Sequence, residues 1–258
     1  MARCIAVVNQ KGGVGKTTTT FNLAAGLVAK GKKVLCVDCD PQGSLTISFG
    51  FDSTGKASLY DLMKGNADLE QSIVKVAEGI DLIPADIELD NAETELLMEP
   101  GADSILRMEL VTVLSCYDYI LLDSRPSLGL LTRNAMRAAN ELLIVLKPEF
   151  LSGQGTLTLI DKYKKLKDRE HENLKITGVV VNGHDVRRNA AKDILSEIEQ
   201  FFDDDIFKVI IKNNSAIADS PSYHLDIYEY WKQSKSSSAK AAVEMYDELV
   251  SKIIGGEK

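Results

Sequence analysis

Residues 4–18 read Cys-Ile-Ala-Val-Val-Asn-Gln-Lys-Gly-Gly-Val-Gly-Lys-Thr-Thr. An apolar run, Cys4 to Asn9, leads into a glycine-rich turn, and the turn leads into a segment of helical period. A strand apolar on both faces belongs inside a parallel sheet covered on both sides. A turn of this composition between strand and helix is suited to wrapping backbone N–H groups around phosphate oxygens. Gly12, Gly13 and Gly15 allow close approach and unusual dihedrals, and the stretch from Lys11 through Val14 to Thr18 is the candidate nucleotide-binding loop. Lys16 is expected to bring a positive charge to the β- and γ-phosphates and Thr17 a hydroxyl to Mg²⁺. The helix beginning near Thr17 adds its positive dipole end. Gln10 stands where the generic phosphate loop has glycine.

Outward from this turn, short apolar runs alternate with longer helical patterns, the order of a parallel sheet with crossover helices. The runs are Cys4 to Asn9, Lys33 to Asp38, Ile80 to Pro84, Tyr119 to Asp123, Leu142 to Leu146, Ile176 to Asn182 and Ile206 to Ile211. The helical patterns are Thr17 to Lys30, Glu88 to Met98, Ser104 to Ser115, Leu128 to Ala139, Gly155 to Lys167, Ala190 to Phe202 and Ser238 to Ile254. The expected fold is α/β, a single P-loop NTPase domain over 1–258, with a mostly parallel twisted sheet of about seven strands flanked by helices on both faces. Ligands then bind at the carboxyl ends of the strands.

Composition bounds the function. The chain has 258 residues, 45% hydrophobic and 26% charged, with 30 Lys+Arg against 38 Asp+Glu. A net charge of −8 is unlike that of a protein that coats nucleic acid with its whole surface, so any DNA contact is local. No run has the length of a membrane span, and the N-terminus lacks the pattern of a secretory signal. The four cysteines, Cys4, Cys36, Cys39 and Cys116, are too few for a disulfide scaffold, so a reduced, cytoplasmic protein is expected. Cys36 and Cys39 form a C-x-x-C whose spacing places them on opposite faces of a strand, which argues against a redox or zinc pair.

Two further carboxylate sites follow. Val34 to Ser44 reads VLCVDCDPQGS, and Tyr119-Ile-Leu-Leu-Asp123 is four apolar residues and a carboxylate, the Walker B pattern, in which Asp123 would hold the Mg²⁺ hydration shell. Asp38 closes its strand and is read either as a magnesium residue acting through water or as a strand-end cap.

The motif K-G-G-V-G-K-T-T, with its second lysine at Lys11, resembles the deviant Walker A of the ParA/Soj/MinD ATPases. VLCVDCDPQGS resembles that family's switch I, and Asp123-Ser-Arg-Pro-Ser-Leu-Gly-Leu-Leu-Thr resembles the D-x-P-P-S-L-G-x-L-T of its partition ATPases. The alanine-rich NAMRAANELLIVLKPEFLSGQG continues the likeness, which spans almost the whole chain. The resemblance implies an ATP- and Mg²⁺-dependent ATPase that forms a nucleotide-sandwich homodimer, with Lys11 reaching the partner's phosphates and Asp40 positioning the attacking water. It further implies nonspecific DNA as a track and a ParB-like protein that stimulates hydrolysis. Arg125 stands where the family has proline, and is read either as altering switch II or as an exposed arginine without consequence.

The resemblance places the adenine near Asn182 and the stretch Ile211 to Asn214, where KNNSAIADSPS keeps Asn214, Ala218, Pro221 and Ser222 of the family pattern. Ala216 replaces an arginine that in some relatives contributes to DNA binding. The charge map runs the other way. Asp38 to Asp118 carries 17 acidic and 4 basic residues, a net of −13, while Asp161 to Lys192 carries 9 basic and 5 acidic, a net of +4. Arg187 and Arg188 are the DNA candidates; Lys162 to Lys167 is read either as part of that face or as a solvated helix surface. The last helix has Val243, Tyr246, Leu249, Val250 and Ile253 at core spacing and Glu244, Asp247 and Glu248 opposite, a pattern unlike a membrane-binding amphipathic helix. No cysteine follows Cys116, which argues against an iron–sulfur relative, and the tail lacks a tyrosine cluster. With the phosphate loop starting at residue 10, no N-terminal helix-turn-helix domain is expected. The alternative reading is an ATP-gated regulatory or protein-positioning switch that does not use DNA.

Overall fold

The computed structural model describes residues 1–147, 161–165, 168, 171, 173–184 and 206–255. Its strands are β1 (Arg3–Val8), β2 (Val34–Cys39), β3 (Val74–Ala77), β4 (Ile80–Ile83), β5 (Tyr119–Ser124), β6 (Glu141–Leu146), β7 (Lys175–His184) and β8 (Phe207–Lys212). They form one sheet in the order β3-β4-β2-β5-β1-β6-β7-β8. Every neighbouring pair is parallel except β3 with β4.

Among the described residues, seven of the eight strands coincide with the apolar runs. The eighth, β3, is an antiparallel edge of four residues, Val-Lys-Val-Ala, with its alternate positions exposed. So short and half-polar a run carries little apolar signal, and a charged, brief strand is how a sheet edge is kept from pairing elsewhere. Side chains alternate along the inner strands. Cys4, Ala6 and Val8 join one buried layer, Ile5 and Val7 the other. Cys39 and Cys36 fall into opposite layers in the same way. Both are fully buried, and burial pushes their thiols well up, so the pair has neither the geometry nor the thiolate of a redox site.

One face is covered by α3 (Leu59–Lys64), α5 (Leu89–Glu95), α6 (Ile105–Leu110) and α7 (Leu130–Ala138), the other chiefly by α1 (Lys16–Ala29) and α10 (Ser237–Gly255). Short helices α2 (Ser44–Ser48), α4 (Leu69–Ser72), α8 (Ser215–Asp219) and α9 (Ile227–Ser234) fill the connections. The pattern Ser104 to Ser115 is divided between α6 and a 3₁₀ turn at Val111–Val113. The pattern Ala190 to Phe202 lies outside the described residues, as does most of Gly155 to Lys167, of which 161–165 is helical.

Helix α10 buries Val243, Tyr246, Leu249, Val250 and Ile253 against the sheet, each worth about 1.5 to 3 kcal/mol of transfer free energy. That apolar stripe is consumed by the core. No described helix is long and apolar enough to cross a membrane.

The far end of the sheet, away from the glycine loop, is closed by charge. Arg3 of β1 donates from Nε and Nη2 to the two carboxylate oxygens of Glu141 on β6, both at 2.7 Å. It also donates to the Ile253 carbonyl of α10 and lies 5.5 Å from the Tyr119 ring centroid. Glu141→Ala leaves this arginine largely buried without its carboxylate, and the unfolding free energy in urea at neutral pH is expected to fall by about 3 kcal/mol. Burial pushes the Glu141 carboxyl up, but Arg3 outweighs it and holds the group below its ordinary value. The contribution is therefore present above the ordinary glutamate range and lost as pH falls through the depressed native value. A gap between wild type and variant that persists through acid pH would contradict the assignment.

Candidate functional site

The ends of β1, β2 and β5 lie side by side, since β5 separates the other two. In register, Val7 stands beside Asp123 and Asp123 beside Asp38. The loop leaving β1 is shaped first by Asn9, buried at the strand's end. Its Nδ2 donates to the Val145 carbonyl of β6 at 2.6 Å, and its Oδ1 accepts the Lys11 N–H at 2.9 Å. This Asx turn fastens the root of the loop to two strands. Gly13 and Gly15 then take φ of 69° and 94°. Gly15 is the residue before α1, and a Cβ there would sit 1.9 Å from Asn182 Nδ2, so both dihedral and space require glycine. Nothing lies within 4 Å of the Cβ position of Gly13. Val14 is buried, which anchors the middle of the loop in the core.

Lys16 opens α1 with 6% of its surface exposed, and its Nζ donates to the Lys11 carbonyl at 3.4 Å. Burial lowers its pKa, against the pull of Asp123 and Asp40. Asp123 and Asp38 are fully buried. Burial pushes Asp123 up, reinforced by the charge of Asp38 and offset by the Thr17 hydroxyl and Lys16. Thr20 Oγ1 donates to its Oδ1 at 3.4 Å, while its Oδ2 is buried with no hydrogen-bond partner among the described residues. Asp38 is raised by burial despite three hydrogen bonds. Its Oδ2 accepts the Thr46 N–H at 2.9 Å and hydroxyl at 2.8 Å, and its Oδ1 the Asp40 N–H at 3.2 Å. Asp38 thus sits near the end of β2, ties down α2 through Thr46 and stands in register beside Asp123. Asp40 is half-buried and its Oδ1 accepts the Gln42 N–H at 3.1 Å.

The donor set fits Mg²⁺. An orphaned buried carboxylate oxygen on Asp123, near the Thr17 hydroxyl and a second carboxylate, is the sparse arrangement that leaves this ion its waters and phosphate ligands. Among the described residues no group of three or more His, Cys, Asp or Glu could cage a metal alone.

Beside the loop lies a cleft of about 190 Å³ lined by Gly13, Gly15, Thr18, Lys147, Asn182 and Asn214. Both expected adenine-side asparagines therefore meet the glycine loop. They differ in freedom. Asn214 Oδ1 accepts the Ala216 N–H and the Ser238 hydroxyl, each at 2.9 Å, and its Nδ2 donates to the Ser238 carbonyl at 2.9 Å. Its amide is largely spent on capping α8 and holding α10. Ala216 is buried, so this position faces the core.

Arg125, beyond Asp123, is not a free surface arginine: it pairs with Asp90 at 3.0 Å and Glu93 at 3.4 Å. Arg187 and Arg188 lie outside the described residues, as do Glu149 and Phe150. Lys162, Lys164 and Lys165 are exposed, whereas Tyr163 between them donates to the Leu174 carbonyl at 2.8 Å and turns that stretch inward.

A strand, glycine loop and helix with two neighbouring strand-end carboxylates define a P-loop nucleoside-triphosphatase fold. A family model described as AAA domain matches residues 2–176. The sporulation initiation inhibitor protein Soj of Bacillus subtilis is 36% identical over 92% of this chain and 94% of its own. The chromosome-partitioning ATPase Soj of Treponema pallidum is 35% identical over 98% of each. The solved structure of a cobyrinic acid a,c-diamide synthase from Mycobacterium smegmatis, with bound ADP and magnesium, superimposes with a TM-score of 0.80 at 31% identity over 100% of this chain and 98% of that one. The chain belongs to the ParA/Soj family of P-loop ATPases.

The sequence reading missed Asn9, Thr20, Thr46 and Lys147. Asn9 carried a usable signal, a polar residue ending an apolar strand two positions before a backbone N–H that needs an acceptor. Asn9→Ala strands the Lys11 N–H and the buried Val145 carbonyl, and is expected to cost about 1 to 3 kcal/mol of stability in denaturant unfolding. Wild-type stability in that variant would show that the Asx turn is not what holds the loop.

Proposed function

We propose that this chain is an ATP-driven switch that binds ATP with Mg²⁺ at the loop 11–18, closes as a homodimer and then holds nonspecific DNA. The observation that carries the nucleotide reading is the orphaned, buried oxygen of Asp123 set beside Lys16 and Thr17 at the root of a glycine loop. Lys16 and the N-terminus of α1 meet the phosphates with positive charge. Gly12, Gly13, Val14, Gly15 and Thr18 bring backbone N–H groups to the same place. Thr17, Asp123 and Asp38 would hold Mg²⁺, which would supply charge neutralisation for phosphoryl transfer. Asp40 orients the attacking water, and its backbone bond to Asp38 couples it to that site. Lys11 acts across the dimer on the partner's nucleotide. Asn182, packed on Gly15, borders the base. Asn214 supports that wall more than it contacts the base, because its amide is engaged elsewhere.

The DNA reading draws on the basic stretch 161–192, with Arg187 and Arg188 as its leading residues, and a ParB-like protein would stimulate hydrolysis and release. We propose a cytoplasmic location for this domain. Such contacts neutralise phosphates without reading sequence. The alternative, an ATP-gated regulator that positions a protein and does not use DNA, is favoured by buried Ala216 and the net charge of −8.

Binding to nonspecific duplex DNA with ATP, ADP or no nucleotide separates them. The partition reading expects binding with ATP only, weakened steeply by salt. Lys16→Gln should bind neither nucleotide nor DNA, and Lys11→Ala should bind nucleotide without dimerising or holding DNA. ATP-driven dimers of the wild type that ignore DNA at low salt would leave the alternative.

A further inference from the structure

The loop 125–129 follows directly on Asp123 and reaches the phosphate loop. Pro126 Cβ and Cγ lie 3.9 Å from the Cβ position of Gly12. One residue earlier, Arg125 turns to α5, where its Nη1 meets Asp90 Oδ1 at 3.0 Å and Glu93 Oε1 at 3.4 Å. The arginine side chain is 23% exposed, Glu93 27% and Asp90 61%. Glu93 also holds the far end of the same loop. Its Oε1 accepts the Leu131 N–H at 3.4 Å in the first turn of α7, where the helix dipole favours a carboxylate. A Cβ on Gly129 would sit 2.3 Å from that oxygen, so a larger residue there would displace the Glu93 carboxylate from this position. Thr132 Oγ1 donates to the Arg125 carbonyl at 3.4 Å and closes the loop on itself.

We propose that Arg125 is a positioning residue: through Asp90 and Glu93 it clasps the loop 125–129 to α5 and so keeps Pro126 against Gly12, setting the phosphate loop for nucleotide. The inference rests on the ATP-binding reading given above. Arg125 touches no reacting group, so its loss acts on nucleotide affinity more than on the rate of the bound state. Partly exposed ion pairs are individually weak and screened by salt. Arg125→Ala should therefore weaken binding by about threefold to tenfold at low ionic strength, and the difference should shrink at about 0.5 M salt, where the Debye length is only a few ångströms.

The test is calorimetric titration of the full chain with a non-hydrolysable ATP analogue and Mg²⁺ at low and high salt, together with KM and kcat for ATP. Asp90→Asn removes the shorter of the two ion pairs from α5 without altering the loop, leaves Glu93 in place, and covers the case in which Arg125→Ala fails to fold. The charge-swapped pair Arg125→Glu with Asp90→Arg should regain most of the lost affinity. Wild-type affinity in both single variants, or a loss that is equal at both salt concentrations and unrescued by the swap, would overturn the clasp. A wild type that binds no ATP would instead remove the reading on which the clasp rests.

Discussion

Taking an ion out of water costs several kcal/mol unless opposite charge and hydrogen bonds meet it. This chain buries an ammonium and two carboxylates, Lys16, Asp38 and Asp123, at the ends of three adjacent strands. Lys16 feels the charge of Asp123 and Asp40, and Asp123 is pushed up first by burial and then by Asp38. The group is internally incomplete: one carboxylate oxygen has no hydrogen-bond partner among the described residues, and Lys16 has shed enough solvent to lower its pKa. A triphosphate with a divalent cation supplies the charges this arrangement calls for, which is why the fold tolerates it.

Much of the surrounding structure keeps those charges in place. Asn9 fastens the loop to β6, Ser124 Oγ donates to the Val7 carbonyl at 2.8 Å to lock β5 on β1, and Thr46 holds Asp38 while its own hydroxyl accepts the Ala85 N–H at 3.0 Å. From the other face, α10 and α9 brace α1. Buried Tyr246 donates to the Thr18 carbonyl at 3.4 Å, and Asn22 of α1 accepts the Ile227 N–H at 2.7 Å. The last helix is a buttress of the nucleotide loop.

The strands and the glycine loop were legible because buried parallel strands leave long apolar runs and the loop has strict steric demands. What stayed hidden was short or relational. Edge strand β3 exposes half its residues. Helix α3 spans only six, although Ser58 and Asp61 form a capping box before it and Gly65 closes it in the left-handed region. Asn9, Thr46 and Glu93 are ordinary letters whose roles arise from partners far along the chain. Arg125 was visible as a departure from the family pattern, but its pairing with Asp90 and Glu93 is a fact of three dimensions.

Loop 11–18, segment 38–46 and loop 123–129, joined through Asp38, Asp123 and Pro126, are expected to respond to nucleotide as one unit. Hydrogen–deuterium exchange of the full chain, with a non-hydrolysable ATP analogue and Mg²⁺ compared against no nucleotide, reads this response segment by segment. Protection is expected in all three segments together, and a response in none of them for Lys16→Gln. Protection confined to the glycine loop, with 38–46 and 123–129 exchanging as before, would contradict it.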